Sequence, residues 1–171
     1  EHEFAVFQVL EREKLLVPHV YGLCPNPRGM LMDAIPGRPD LSTNESAGDR
    51  ASVLAHLMDL YAELHAIDPK RFEEIGIERP ADDQIPLGDF PRWEEGYRAR
   101  KTVPEPMIEF GIRWVRRNLP ERTQLACLHA DAGNFIFDGD RVTALLDFEL
   151  ACLGDPLADL GALRARDLSE P

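Results

Sequence analysis

Cysteine is scarce in this chain: Cys24, Cys127 and Cys152 are odd in number and widely separated. They form neither a disulfide framework nor a thiolate metal pattern, so a reducing, cytoplasmic setting is the plain expectation. Long apolar runs are also missing; none approaches the ~18 residues of a membrane span. Glu1-His2-Glu3 has neither the basic flank nor the apolar core of a secretory leader, and reads as the start of a fragment inside a helix. Cationic side chains are outnumbered, 19 Lys and Arg against 31 Asp and Glu, for a formal charge of −12. Neither nucleic acid nor an anionic membrane is therefore expected as a main partner, since both need a basic face. Lysine occurs only at Lys14, Lys70 and Lys101, and there is no glycine-rich phosphate loop.

What is present concentrates between Leu125 and Leu160. There His129, Asp131, Asn134, Asp147, Glu149, Asp155 and Asp159 stand between short apolar runs, where strand ends and loops present polar groups. Leu125 to Leu128 is long enough for one buried strand ending at His129. Phe135 to Phe137, then Asp138-Gly139-Asp140-Arg141, then Val142 to Leu146 reads as a β-hairpin, because Asp-Gly supplies the positive φ of a tight turn. Antiparallel strands bring their outer ends together, so Asn134 and Asp147 become neighbours. An amide oxygen beside a carboxylate suits a hard cation such as Mg²⁺, which takes oxygen ligands from one or two protein groups plus phosphates. Asp131, on the preceding loop, is then placed to accept a proton from an attacking hydroxyl while the metal carries a polyphosphate. Singly, each carboxylate is as well explained by capping or a solvated surface; their order along the chain favours the joint reading.

The motifs resemble those of the aminoglycoside phosphotransferase family, relatives of choline kinases and more distantly of protein kinases. Leu128-His129-Ala130-Asp131 matches the family's L-x-H-G-D, Asn134-Phe135 its metal asparagine, and Asp147-Phe148-Glu149 its D-x-D/E. Gly154-Asp155-Pro156 with Asp159-Leu160 matches the G-D-P-x-x-D-L that follows. The resemblance implies an α+β, protein kinase-like two-lobed fold. Residues 1–35 would be the end of a nucleotide-binding N-terminal lobe and 36–171 much of an α-rich C-terminal catalytic lobe. It implies ATP- and Mg²⁺-dependent transfer of the γ-phosphoryl group to a small-molecule hydroxyl. Asp131 would be the base and Asn134 and Asp147 the metal ligands, with His129, Glu149 and Asp159 supporting them. Glu3 would hold the ATP-binding lysine, which has to come from upstream, and the backbone of Met32, Asp33, Ala34 and Ile35 would form the hinge against adenine.

Two departures stand out. Ala130 replaces the usual glycine, a small loss of backbone freedom. The family also spaces its catalytic aspartate and metal asparagine by four residues, whereas only Ala132 and Gly133 intervene here. That implies either a shortened loop or two residues absent from the sequence. A shortened loop would favour a nucleotide-binding, pseudokinase-like module without turnover. A metal-dependent hydrolase built on His129, Asp131 and Asp147 is less attractive, because no second histidine lies near in sequence.

Elsewhere, Glu3 to Lys14 has helical spacing, and Leu16 to Tyr21 and Gly29 to Met32 read as two strands around a Pro/Gly/Asn turn. Arg50 to Ile67 predicts an amphipathic helix burying Leu54, Leu57, Met58, Tyr61 and Leu64. Within it, Leu64-His65-Ala66-Ile67-Asp68 resembles a family L-H-x-x-D segment, with His65 a structural histidine. Glu74 to Val103 has little periodicity and reads as a loop with short helical pieces. Its Trp93 and Tyr97 are similar to a W-x-x-x-Y of the subgroup related to the kinase-like domains of some acyl-CoA dehydrogenases, although a packed aromatic pair is the simpler expectation. Glu105 to Leu119 predicts a helix burying Met107, Phe110, Trp114 and Val115, with Arg113, Arg116 and Arg117 on a solvated face. Asp155-Pro156 reads as the N-cap and first residue of a last helix. The acceptor stays open among aminoglycosides, choline-like alcohols, sugars, homoserine and hydroxyacyl-CoA.

Overall fold

The computed structural model describes residues 1–121, 123–131 and 133–169, the last four by backbone alone. Helix α1, His2–Arg12, buries Val6, Phe7, Val9 and Leu10. It packs beside the antiparallel hairpin of β1, Val20–Pro25, and β2, Arg28–Met32. The first strand begins four residues later than its sequence suggests. Pro18 lacks an N–H for a ladder, and the Leu16 carbonyl instead accepts from Leu145 N–H at 2.9 Å, tying this segment to the second half of the chain.

After β2 the connector runs back against that half. Arg38 and Phe137 exchange both main-chain hydrogen bonds, at 2.9 and 3.0 Å. Gly37 makes this approach possible: it sits at φ +133°, and a Cβ there would lie 2.5 Å from the Phe137 carbonyl oxygen. Ser46 accepts from Asp49 N–H at 3.1 Å to cap α2, Ala47–Ala66. This helix buries Val53, Leu57, Leu60, Tyr61 and Leu64. The expected stripe is thus rotated, and Leu54 and Met58 lie on its exposed flank.

A one-turn helix α3, Lys70–Glu73, leads to a 3₁₀ turn at Ile85–Leu87 and to two more helices, α4, Phe90–Arg100, and α5, Pro106–Arg117. Helix α4 corrects the expectation of a mostly irregular segment. None of its residues is buried, so apolar periodicity could not reveal it. Ion pairs hold it to α5 instead: Arg116 to Glu94 at 2.6 Å, Arg98 to Glu109 at 3.2 Å, and Lys101 to Glu109. Arg116 is therefore engaged rather than merely solvated. Trp93 bonds Asp89 and is largely exposed, the Tyr97 ring faces Lys101, and the two residues, one turn apart on α4, line a common hollow. The expected buried stripe of α5 is corrected as well. Met107, Phe110 and Trp114 are exposed, and Ile112 is its buried residue.

The remaining strands are β3, Ala126–Leu128, β4, Phe135–Asp138, β5, Arg141–Leu145, and β6, Cys152–Gly154. Antiparallel β4–β5 closes through Gly139 at φ +58°, and β3 pairs antiparallel with β6. Helix α6, Leu157–Ser169, follows, with Asp155 accepting from Leu157 N–H at 2.9 Å. An edge-to-face relay of rings, Phe7 on Phe148 and Phe148 on His129, runs from α1 through the core toward Tyr61 of α2. The architecture is α+β. Among the described residues no helix is long and apolar enough to cross a membrane.

Candidate active site

Hairpin closure brings the two ends of β4–β5 together as its turn chemistry requires. Leu146 N–H donates to the Asn134 carbonyl at 2.9 Å, so Asn134 enters the hairpin beside the point where Asp147 leaves it. The Asn134 amide Nδ2 donates to Asp131 Oδ2 at 2.9 Å and to Asp147 Oδ2 at 3.3 Å. Three oxygen-bearing side chains therefore meet at one corner. Asp131 and Asn134 are half-buried and Asp147 is exposed, so the corner faces solvent.

The backbone here is held in uncommon conformations. Ala130 sits at φ +63° and Asp147 at φ +62°. Aspartate tolerates this left-handed region better than most residues, but alanine does not, at a cost of about 1–2 kcal/mol. Ala130 is thus a strained substitution rather than a neutral one.

Asp159, fully buried, fixes the loop. Its Oδ2 accepts from His129 N–H at 3.0 Å and from His65 Nε2 at 2.9 Å, while Oδ1 accepts from Ala130 N–H at 2.9 Å. His129 Nε2 donates to the Leu146 carbonyl at 2.7 Å, joining the loop to the end of the hairpin. Burial pushes the His129 ring below its ordinary value of 6.5, against the opposing pull of the Leu146 carbonyl and the Asp159 charge. A neutral ring with Nε2 as donor fits that bond. Sequence marks His65 as a structural histidine but not its partner, which lies 94 residues away.

Glu3 reaches the site from α1. Burial raises its carboxyl above the usual 4.5, Asp147 and Glu149 add to the rise, and the Phe148 N–H opposes it. Glu3 also lines a hollow of about 910 Å³ between α1 and the β1–β2 hairpin, together with Phe4, Leu23 and Met30. Glu149 is exposed and lies on a different wall, a hollow of about 610 Å³ shared with Asp89 and Arg92. Of the expected hinge, Asp33 N–H is used by the His19 carbonyl at 2.9 Å and its carboxylate by Tyr21 Oη at 2.8 Å. Met32 ends β2, and Ala34 and Ile35 follow as irregular chain.

An amide and two carboxylates are hard oxygen donors. Among the described residues no group of three or more His, Cys, Asp and Glu side chains could hold a metal by itself. The donor types at the corner, one amide and two carboxylates, are those that Mg²⁺ takes alongside phosphates and water, with Asn134 here turning its Nδ2 rather than its oxygen toward both carboxylates.

A model of the phosphotransferase enzyme family matches residues 1–171. Acyl-CoA dehydrogenase family member 10 of Mus musculus is 29% identical over 173 residues, covering 94% of this chain and 16% of the relative. The chain thus spans about a sixth of the length of the curated relatives it matches. Among solved structures, an aminoglycoside-3'-phosphotransferase of type VIII superposes with a TM-score of 0.67 at 25% identity, over 95% of this chain and 63% of that one. An aminoglycoside phosphotransferase holding ADP and hygromycin B superposes with a TM-score of 0.69 at 15% identity, over 96% of this chain and 61% of that one. The latter likeness is one of fold.

Proposed function

Since this chain belongs to the phosphotransferase enzyme family, with its protein kinase-like fold, we propose that it carries the catalytic corner of an ATP- and Mg²⁺-dependent kinase acting on a small-molecule hydroxyl. The observation that supports this most directly is the Asn134 amide within 2.9 and 3.3 Å of the Asp131 and Asp147 carboxylates. In this reading Asp131 accepts the proton of the acceptor hydroxyl, and Asn134 and Asp147 hold the metal. A bound Mg²⁺ would neutralise charge on the transferring phosphoryl group, where most catalysis of this kind resides. Asp159 and His129 hold the Asp131 loop at fixed distance from the hairpin end. Residues 1–35 serve as the nucleotide-side lobe, with Glu3 oriented toward a lysine supplied from elsewhere in the polypeptide, and residues 36–171 as the catalytic lobe.

The kinship with acyl-CoA dehydrogenase family members favours a hydroxyacyl-CoA among the acceptors, and solved neighbours that hold ATP or ADP support ATP as donor, beside others that hold GDP. The test is a coupled assay of ADP release over small alcohols, including hydroxyacyl-CoA. Asp131→Ala should abolish transfer and leave Mg-ATP binding intact, whereas Asp147→Ala should lose both. Full activity in both variants defeats the assignment. A second reading has one observation in its favour: Asn134 bonds Asp131 directly across only two residues, tying the base to the metal-side amide. A nucleotide-binding module without turnover would show stabilisation by Mg-ATP with no ADP release for any alcohol.

A further inference from the structure

The hollow of about 610 Å³ that Glu149 shares with Asp89 and Arg92 is of a size that takes a small organic molecule. Its place relative to Asp131 is fixed through the β3–β6 pair. A Cβ on Gly154, at the end of β6, would lie 2.8 Å from Gly88 Cα, and Asp155 N–H donates to the Ile85 carbonyl at 3.0 Å. The segment that enters α4 is thus seated on β6, whose partner β3 leads into His129 and Asp131. Burial raises the Asp89 carboxyl above the usual 3.8, and the charge of Asp159, which holds the Asp131 loop, adds to the rise against the Trp93 bond and the Arg92 charge.

Arg92 stands out on this wall. It lies in the first turn of α4, where a cation opposes the helix dipole. It is also on the side turned away from α5, which Glu94 and Arg98 face. Among the described residues it makes no hydrogen bond or ion pair, whereas Arg98 and Arg116 are both taken by carboxylates. Asp89 fixes the neighbouring Trp93 through its indole N–H, and the Arg92 guanidinium rests 5.5 Å from the centre of that ring. The donors of its fork are therefore held at the hollow without a protein acceptor. Glu78, Asp89 and Glu149 line the same hollow, and its other arginine, Arg79, is paired with Glu73 and Asp82. The site offers no broad positive field; it offers one planar, bidentate contact.

Resting on the kinase reading above, we infer that this hollow seats the acceptor and that Arg92 selects acceptors bearing an anionic oxygen group, a carboxylate or a phosphate, apart from the reacting hydroxyl. Asp89 and Trp93 are positioning residues for the Arg92 fork.

Two matched pairs of alcohols, assayed with the full-length protein, test this: a free hydroxy acid against its amide, and a hydroxyacyl-CoA against its N-acetylcysteamine thioester. The first pair reads a carboxylate, the second the phosphates of the tail. In one pair or both, the charged member should have a kcat/KM about 10-fold or more above the neutral one, mainly through KM. Arg92→Gln should bring that ratio near one, and Arg92→Lys should recover part of it. No preference in either pair overturns the inference, as does a preference that survives Arg92→Gln or an equal fall for both members, which a merely structural role would give. If no alcohol releases ADP, the kinase reading fails, and calorimetric titration of the same four compounds decides the inference separately. Binding of a charged member that Arg92→Gln abolishes sustains it, and the lack of such binding overturns it.

Discussion

Replacing Asp159 by asparagine tests how the loop that carries Asp131 is held. The native carboxylate accepts three hydrogen bonds in a dry site, two on Oδ2 and one on Oδ1. An asparagine has one oxygen. Its better rotamer keeps that oxygen at the Oδ2 position, serving His129 N–H and His65, and turns the amide NH₂ toward Ala130 N–H. One buried donor is then unsatisfied, at about 1–3 kcal/mol, and the two surviving bonds lose charge assistance worth about 1 kcal/mol each. The sum, roughly 3–5 kcal/mol, is a large part of the ~5–15 kcal/mol that holds a domain together. Thermal denaturation should therefore shift down by about 6–20 °C, at ~2–4 °C per kcal/mol for a chain of this size. In the assay of phosphoryl transfer, kcat should fall more than the affinity for Mg-ATP, because the loop carrying Asp131 loosens while Asp147 stays on the hairpin. An Asp159→Asn protein that melts within about 2 °C of the wild type, less than 1 kcal/mol, and keeps its kcat would refute the claim that this carboxylate braces the loop.

Ala130→Gly should stabilise the protein by about 0.5–1 kcal/mol, since relief of the left-handed strain exceeds the added unfolded-state entropy; a lowered urea midpoint would contradict the strain. Gly37→Ala should destabilise by about 2 kcal/mol or more, combining an unfavourable φ with a Cβ pressed on the Phe137 carbonyl, and equilibrium urea unfolding measures it. His129 should titrate below 6.5 by NMR. Below 6.5 the unfolded chain binds a proton that the native ring resists, so stability present above 6.5 is lost as pH falls toward the depressed native value, at up to about 1.4 kcal/mol per pH unit. Urea midpoints that stay flat from pH 7.5 to the acid side of 6.5 would count against a buried neutral ring.

Local chemistry was legible in the sequence; long-range partners were not. Asp138-Gly139 declared its turn, and a hairpin of known length leaves little choice about where Asn134 and Asp147 go. The three-residue β6 and the ion-paired α4 left no apolar period to read. Amphipathicity in α5 marked a distinct face without saying what, if anything, covers it. The burial of α2 was misjudged by about one residue's rotation, because Leu54 and Met58 extend the apolar arc beyond the side that meets the core. His65 was readable as a structural histidine through its L-H-x-x-D-like segment, but not its partner, since the carboxylate it serves arrives from α6.

The double main-chain link between Arg38 and Phe137 turns the connector into a strut nailed to β4, two residues beyond Phe135, which Asn134 precedes. Any swing of α1 and the β1–β2 hairpin about residues 33–37 pulls on that strut. A displacement of the first hairpin is thus geared to the corner where Asp131, Asn134 and Asp147 meet, and a clamp on one side of the molecule would be felt as traction on the other.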